Sequence, residues 1–209
     1  TTTEHVYLEA VNNFQVIMLL MFMVAGIYFL KELLLFTFTK IVLKVKSKIL
    51  LSFLFCAVST VLSAFLDALT VTAVIITVAF GFYFVYHKIA SGKQFDEAHD
   101  IASADDQELS EEKMKDLEDF RDFLRSLMMH GAVGTALGGV CTLVGEPQNL
   151  LIAEKANWDF VTFFLKVAPV SMPVLVVGLL TCILLEKIKI FGFGGSLPPT
   201  VRKILEDFD

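Results

Sequence analysis

From Ile49 to Tyr86 the chain runs for 38 residues with one carboxylate, Asp67, and no Lys or Arg. A hydrocarbon core about 30 Å thick is crossed by roughly 20 helical residues, so a run of this length must fold back. The turn falls at Phe65–Ala68, near its middle. Two geometries satisfy it: two full crossings that put Asp67 at the far surface, or a re-entrant hairpin that puts it at mid-membrane. The turn lacks the Gly, Pro or paired charges of an exposed loop, which favours the hairpin. A carboxylate at membrane depth costs about 2.5–3.5 kcal/mol on insertion scales and is a functional-site candidate by default.

A second apolar run, Leu127–Ile152, is interrupted by Gly145-Glu146-Pro147-Gln148-Asn149. Pro147 removes a backbone donor and clashes with the preceding turn, so the helix unwinds there and frees carbonyls. Two interrupted, polar-bearing hydrophobic segments in one chain point to a transporter's binding site. The bland alternatives are an N-cap role for Asp67 and a plain membrane-exit loop at 145–149. Ser63, Thr70 and Thr72 add hydroxyl oxygens of the kind hard cations prefer.

The rest of the composition agrees with a membrane chain. Hydrophobic residues make up 56%, with twenty Phe and a mean hydropathy of +0.69, above the 45–50% apolar content usual for soluble domains. Residues 1–48 read as a first spanning helix followed by an interfacial amphipathic helix, with Lys31, Lys40, Lys44, Lys46 and Lys48 toward head groups. Residues 49–87 form the helical hairpin. Residues 88–126 form an acidic cytoplasmic segment: Lys88–Arg125 holds twelve acidic and six basic residues, against eleven of each elsewhere. Within it Ser103 and Asp106 suit a capping box, and Leu117, Phe120, Leu124 and Leu127 recur at helical spacing. Residues 127–190 hold the discontinuous helix and a return helix containing Pro169 and Pro173. Glu186, Lys187 and Lys189 then fall in the cytoplasm, and 191–209 form a linker. Basic flanks on one side support this topology.

The charge excludes a nucleic-acid partner, which needs a basic face. Cys56, Cys141 and Cys182 read as small apolar fillers, and His87, His99 and His130 as ordinary interface and loop histidines, with cytoplasmic pH sensing as the sharper alternative. No phosphate-binding loop, metal-ligand spacing or nucleophile–base signature is present, so no enzyme and no cofactor are expected. The chain starts without Met and stops soon after the linker, and reads as a fragment.

Ser63-Ala-Phe-Leu-Asp67-Ala-Leu-Thr70-Val-Thr72 and Gly145–Asn149 together resemble the NhaB-type Na⁺/H⁺ antiporters, as do Phe22–Tyr28, Gly134–Gly139 and Val201–Leu205. More distantly the two motifs are similar to those of arsenite permeases and dicarboxylate–sodium symporters, from which Ala68 and Gln148 depart. The resemblance implies an all-α, multi-pass bacterial inner-membrane protein built from two inverted repeats, of which this chain holds one. It implies exchange of Na⁺ or Li⁺ for H⁺, with Asp67 binding them in alternation and Ser63, Thr70, Thr72, Gly145, Glu146 and Asn149 completing the ion site. The expected partners are Na⁺, H⁺ and Li⁺, the lipid bilayer and the missing second repeat of the same chain, with a homodimer left open. Na⁺-coupled symport of a small anion and a non-transporting scaffold are the alternatives.

Overall fold

A computed structural model describes residues 3–12, 14–90, 111–190, 193, 195 and 197–206. His99, Ser103 and Asp106, most of the acidic segment and parts of the 191–209 linker lie outside the described residues. Described secondary structure is helical throughout: α1 (Thr3–Asn12), α2 (Phe14–Lys44), α3 (Lys48–Leu66), α4 (Ala68–Ala90), α5 (Glu111–Gly139), α6 (Pro147–Ala156), α7 (Phe160–Ile188) and α8 (Pro199–Glu206). Three of these, α3, α4 over Ala68–His87 and α7, are long and apolar enough to cross a membrane. The fold is that of an all-α membrane protein.

Packing centres on α3, which lies against α5 along most of its length and also meets α7. The close fit follows from two glycines one turn apart. A Cβ on Gly134 would overlap the Cys56 carbonyl, and one on Gly138 would overlap the Thr60 carbonyl. Small residues at i and i+4 on α5 thus seat directly on residues at i and i+4 of α3, the spacing that lets membrane helices approach backbone to backbone. Serine and threonine hydroxyls on the buried face of α3 do not widen the gap. Ser59 and Thr60 turn theirs back to the carbonyls of Phe55 and Cys56.

The sequence reading divided residues 1–48 at Lys31, but Phe14–Lys44 is one helix. No Gly or Pro interrupts it after Gly26, and Leu34, Phe38 and Val42 recur every four residues as one buried stripe. Phe38 meets Phe55 of α3 with ring centroids 4.8 Å apart. The amphipathic helix expected around Leu117–Leu127 exists, with all four stripe residues buried, and continues without a break to Gly139. α8 packs near the first turns of α5, and Leu197, just before α8, and Val201 within it join the same core. Thr200 of α8 donates to Asp116 at 2.6 Å.

α7 starts at Asp159, whose side chain accepts from the Thr162 N–H at 2.7 Å. Those Thr162 bonds hold the Asp159 carboxyl below its ordinary range. Val161, Leu165, Val170 and Val177 along α7 are exposed, as a lipid-facing surface would be.

Candidate ion site

α3 ends at Leu66 and α4 starts at Ala68, so a single residue, Asp67, forms the break. Its backbone lies at φ 90° and ψ 132°, a region that costs a non-glycine residue on the order of 1–3 kcal/mol. Asp67 is also the cap of α4. Its Oδ2 accepts from the backbone N–H of Thr70 at 3.3 Å and from the Thr70 hydroxyl at 3.2 Å. Oδ1, by contrast, is buried and has no hydrogen-bond partner among the described residues.

The second break faces the first. α5 stops at Gly139, residues 140–146 are turns and bends, and α6 starts with Pro147 at its first position. The missing proline donor costs nothing there because the first N–H groups of a helix are unpaired anyway. Asn149, buried, holds the unwound stretch together: its Nδ2 donates to the carbonyls of Gly139 at 2.9 Å and Thr142 at 2.8 Å. Gly145 sits so close to Gly139 that a Cβ would overlap its carbonyl. The two breaks are joined where the Ala68 N–H donates to the Gly145 carbonyl at 3.3 Å. Thr142 donates its hydroxyl to the Ala64 carbonyl. Glu146 is half-buried, bonded by Gln148 at 3.2 Å, and lies within electrostatic reach of Asp67.

Of the residues picked from sequence, Asp67, Thr70, Gly145 and Glu146 gather at this junction, with Asn149 behind it as the brace. Ser63 and Thr72 converge elsewhere. Ser63 donates to the Thr135 carbonyl at 2.7 Å. Thr72 lies 3.2 Å from the Thr135 hydroxyl, and since that hydroxyl already donates to Ala132, Thr72 is the donor. Thr135 and Thr142 were missed by the sequence reading. Their signal was slight: hydroxyls among the glycines of a run that otherwise reads as close packing. Among the described residues no three His, Cys, Asp or Glu side chains cluster as metal ligands.

Chemically, the junction offers one unsatisfied carboxylate oxygen beside backbone and hydroxyl oxygens. An ionised carboxylate with one oxygen buried and unpaired is costly, and a proton or a cation on Oδ1 would relieve the cost. A hard monovalent ion suits an oxygen-only environment of this kind. An open groove of about 360 Å³, lined by Ile76, Phe80, Tyr83, Arg121, Leu124 and Met128, contains none of these residues.

Three helices long and apolar enough to cross a membrane, in an otherwise all-helical fold, define an all-α membrane protein. Over residues 1–209 the chain matches the family described as Bacterial Na⁺/H⁺ antiporter B (NhaB), and it belongs to that family. It is 64% identical to the Na⁺/H⁺ antiporter NhaB of Hahella chejuensis over 98% of this chain and 40% of the relative. It is likewise 64% identical to that of Teredinibacter turnerae over 100% and 41%, and 62% identical to one from Pseudomonas putida over 98% and 41%. The chain thus spans about two fifths of the length of these relatives. No solved structure matches it.

Proposed function

We propose that this chain contributes part of the ion site of a secondary transporter that exchanges Na⁺, or Li⁺, for H⁺ across the bacterial inner membrane, driven by the proton gradient. The observation that carries the reading is the Asp67 carboxylate, held at a strained break with Oδ1 buried and unpartnered. Asp67 alternates between a protonated and a cation-bound form, because either one relieves the same uncompensated oxygen. Gly145 and Thr70 supply neighbouring oxygens, and Glu146 adds negative potential. Ser63 and Thr72 act one step removed, by fixing α5 at Thr135. Asn149 keeps the unwound stretch in register.

The same reading takes α3–α4 as a re-entrant hairpin and α5–α6 as a discontinuous helix, with the second inverted repeat covering the junction. Phe65 and Leu69, flanking Asp67, are 61% and 74% exposed in this chain. Apolar groups at that exposure beside a carboxylate suit a cover of protein or lipid better than water. Residues 88–126 and 191–209 then lie on the cytoplasmic side.

The test uses everted membrane vesicles carrying the complete gene, wild type beside Asp67→Asn. With a respiration-built pH gradient in place, NaCl is added and a pH-sensitive dye followed. Collapse of the gradient in wild type and not in the variant is expected. Collapse in both, with equal Na⁺ dependence, would remove Asp67 from the site.

A further inference from the structure

At the opposite end of α3 from Asp67 lies a second polar cluster, which the site above does not use. Glu186 of α7 has a fully buried side chain, beside Lys187 and Lys189, which read as a cytoplasmic flank. Its Oε1 is crowded: Ser52 of α3 donates at 2.7 Å, Ser126 of α5 at 3.0 Å, and His130 Nε2 of α5 lies at 2.9 Å. Lys48 Nζ stands 3.6 Å from the same oxygen, with its side chain 10% exposed. Oε2 and Lys48 Nζ have no hydrogen-bond partner among the described residues. Nζ instead sits over the Phe123 ring, 4.4 Å from its centroid.

The ionisable groups around His130 are few. α3 presents Lys48 and Cys56, and α7 presents Cys182 and Glu186, the two cysteine sulfurs being 3.4 Å apart. α4 meets this stretch of α5 through the apolar Ile75 at Gly131, and the Phe193 ring lies 4.9 Å from the imidazole. An ionised carboxylate only accepts, so the Nε2 facing Glu186 carries hydrogen and the open protonation position is Nδ1. Glu186 can balance one positive charge. Lys48 supplies it now, but at ion-pair distance, without a hydrogen bond and on the most exposed side chain of the three.

We infer that His130, Glu186 and Lys48 form a second proton-binding site, in which a proton on His130 competes with Lys48 for the single carboxylate of Glu186. Binding at Nδ1 makes the Nε2–H to Oε1 contact a charge-assisted bond, roughly twice as strong as the neutral one, and draws α5 onto α7. The cluster then carries one positive charge too many, and Lys48, its least tethered and most exposed member, turns to solvent and releases the start of α3. Only a proton moves, from water to Nδ1, and no covalent bond between heavy atoms changes. The site is thus a latch: Lys48 adds a tie between α3 and α7 when the site is empty, and His130 tightens the tie between α5 and α7 when it is loaded. The Ser52 and Ser126 bonds to Glu186 are kept in both states. A continuous proton path from it to Asp67 along α3 is not part of the device. The α3 hydroxyls of Ser59, Thr60 and Ser63, which lie between them, donate to carbonyls.

The test has two readouts on the complete transporter, one of which does not depend on antiport. In the first, the protein carries ring-¹³C histidine and is followed in detergent from about pH 5.5 to 8.5. The His130 signal is assigned by its absence in His130→Gln, a variant that keeps a donor for Oε1. It should change with pH in wild type and in Asp67→Asn alike, and in Lys48→Met the change should come at a higher pH, because the competing cation is gone. In the second, which rests on the antiport reading, Na⁺-driven exchange in proteoliposomes is measured over the same range. The step that His130 puts into the wild-type profile should be lost in His130→Gln. A His130 signal that does not move, or moves identically in Lys48→Met, overturns the site, and an unchanged exchange profile in His130→Gln overturns the latch. Absence of exchange in wild type would count against antiport and leave the titration to decide proton binding.

Discussion

The backbone N–H of Ala68 donates to the carbonyl of Gly145 across 3.3 Å, and this one bond ties the break after α3 to the break after α5. Each break leaves backbone groups unpaired, and a buried unpaired group costs about 1–3 kcal/mol. Placing the breaks face to face lets one satisfy the other. Asp67 is therefore fixed from both sides: by its strained φ within the chain, and by Gly145 from outside.

That strain separates stability from function at one position. Asp67→Gly removes the backbone penalty but also the cap to Thr70, whereas Asp67→Ala removes the cap and keeps the penalty. Thermal unfolding of the complete protein in detergent should rank Asp67→Gly above Asp67→Ala by roughly 1 kcal/mol, with Na⁺ exchange absent in both. Equal stability of the two would mean that the φ of 90° is not held in the folded protein.

The α3–α5 contact makes the sharpest packing prediction. Gly138→Ala drives a methyl into the Thr60 backbone, and the helices must part at a cost of about 1–3 kcal/mol. Gly81→Ala, by contrast, meets nothing within 4 Å and replaces a poor helix former, so it should be neutral or mildly stabilising. Folded yield by fluorescence-detected size exclusion distinguishes them. Comparable yields would show that the close approach of α3 and α5 is absent.

These features were unequally legible in the sequence. Asp67 stood out because a carboxylate in a long apolar run has few bland explanations, and Pro147 because its chemistry breaks a helix in any context. Thr135 and Thr142 gave only a slight signal, since a hydroxyl near glycines is common and only the tertiary approach of α3 reveals its partner. The burial of Glu186 was missed for a related reason. With Lys187 and Lys189 beside it, the local charge pattern reads as an interface, and nothing local shows that Ser52, Ser126 and His130 arrive from two other helices to cover it. The division of α2 at Lys31 failed because a change from apolar to basic composition was taken for a change of element, while the four-residue spacing of Leu34, Phe38 and Val42 continued through it.

Asn149 should be intolerant of substitution in a graded way. Its amide donates twice to the carbonyls of the unwound stretch. Asn149→Ala leaves two partly buried acceptors short of a donor, worth about 1–3 kcal/mol. Asn149→Asp is worse, because it cannot donate and sets a negative charge against carbonyl oxygens. Thermal stability should fall in the order wild type, Asn149→Ala, Asn149→Asp, with exchange lost in the last. Wild-type stability in Asn149→Asp would mean that the amide does not brace the break.

Asp159 supplies a pH prediction with a definite sign. Its folded-state pKa is depressed by the Thr162 bonds, so its contribution is present above the unfolded value, near 4, and is lost only as pH falls through the folded value. Asp159→Ala should therefore lower the Tm by the same amount at about pH 5, 6, 7 and 8. A difference that shrinks between pH 8 and 5 would show that the carboxylate does not cap α7.

The depth of Asp67 can be settled by labelling. α3 has 19 residues, about 28 Å of helix, close to a full hydrocarbon thickness, so two complete crossings are geometrically available. What argues for a re-entrant tip is the company Asp67 keeps: exposed Phe65 and Leu69, a carboxylate oxygen without a partner, and a bond to an unwound segment that hydrocarbon tolerates only under cover. In a cysteine-free full-length background, Leu69→Cys should resist a membrane-impermeant maleimide added from the periplasmic side and react after denaturation in detergent. Ready labelling from that side in intact cells, at a rate matching a known external loop, would place Asp67 at the outer surface and make α3 and α4 two full crossings.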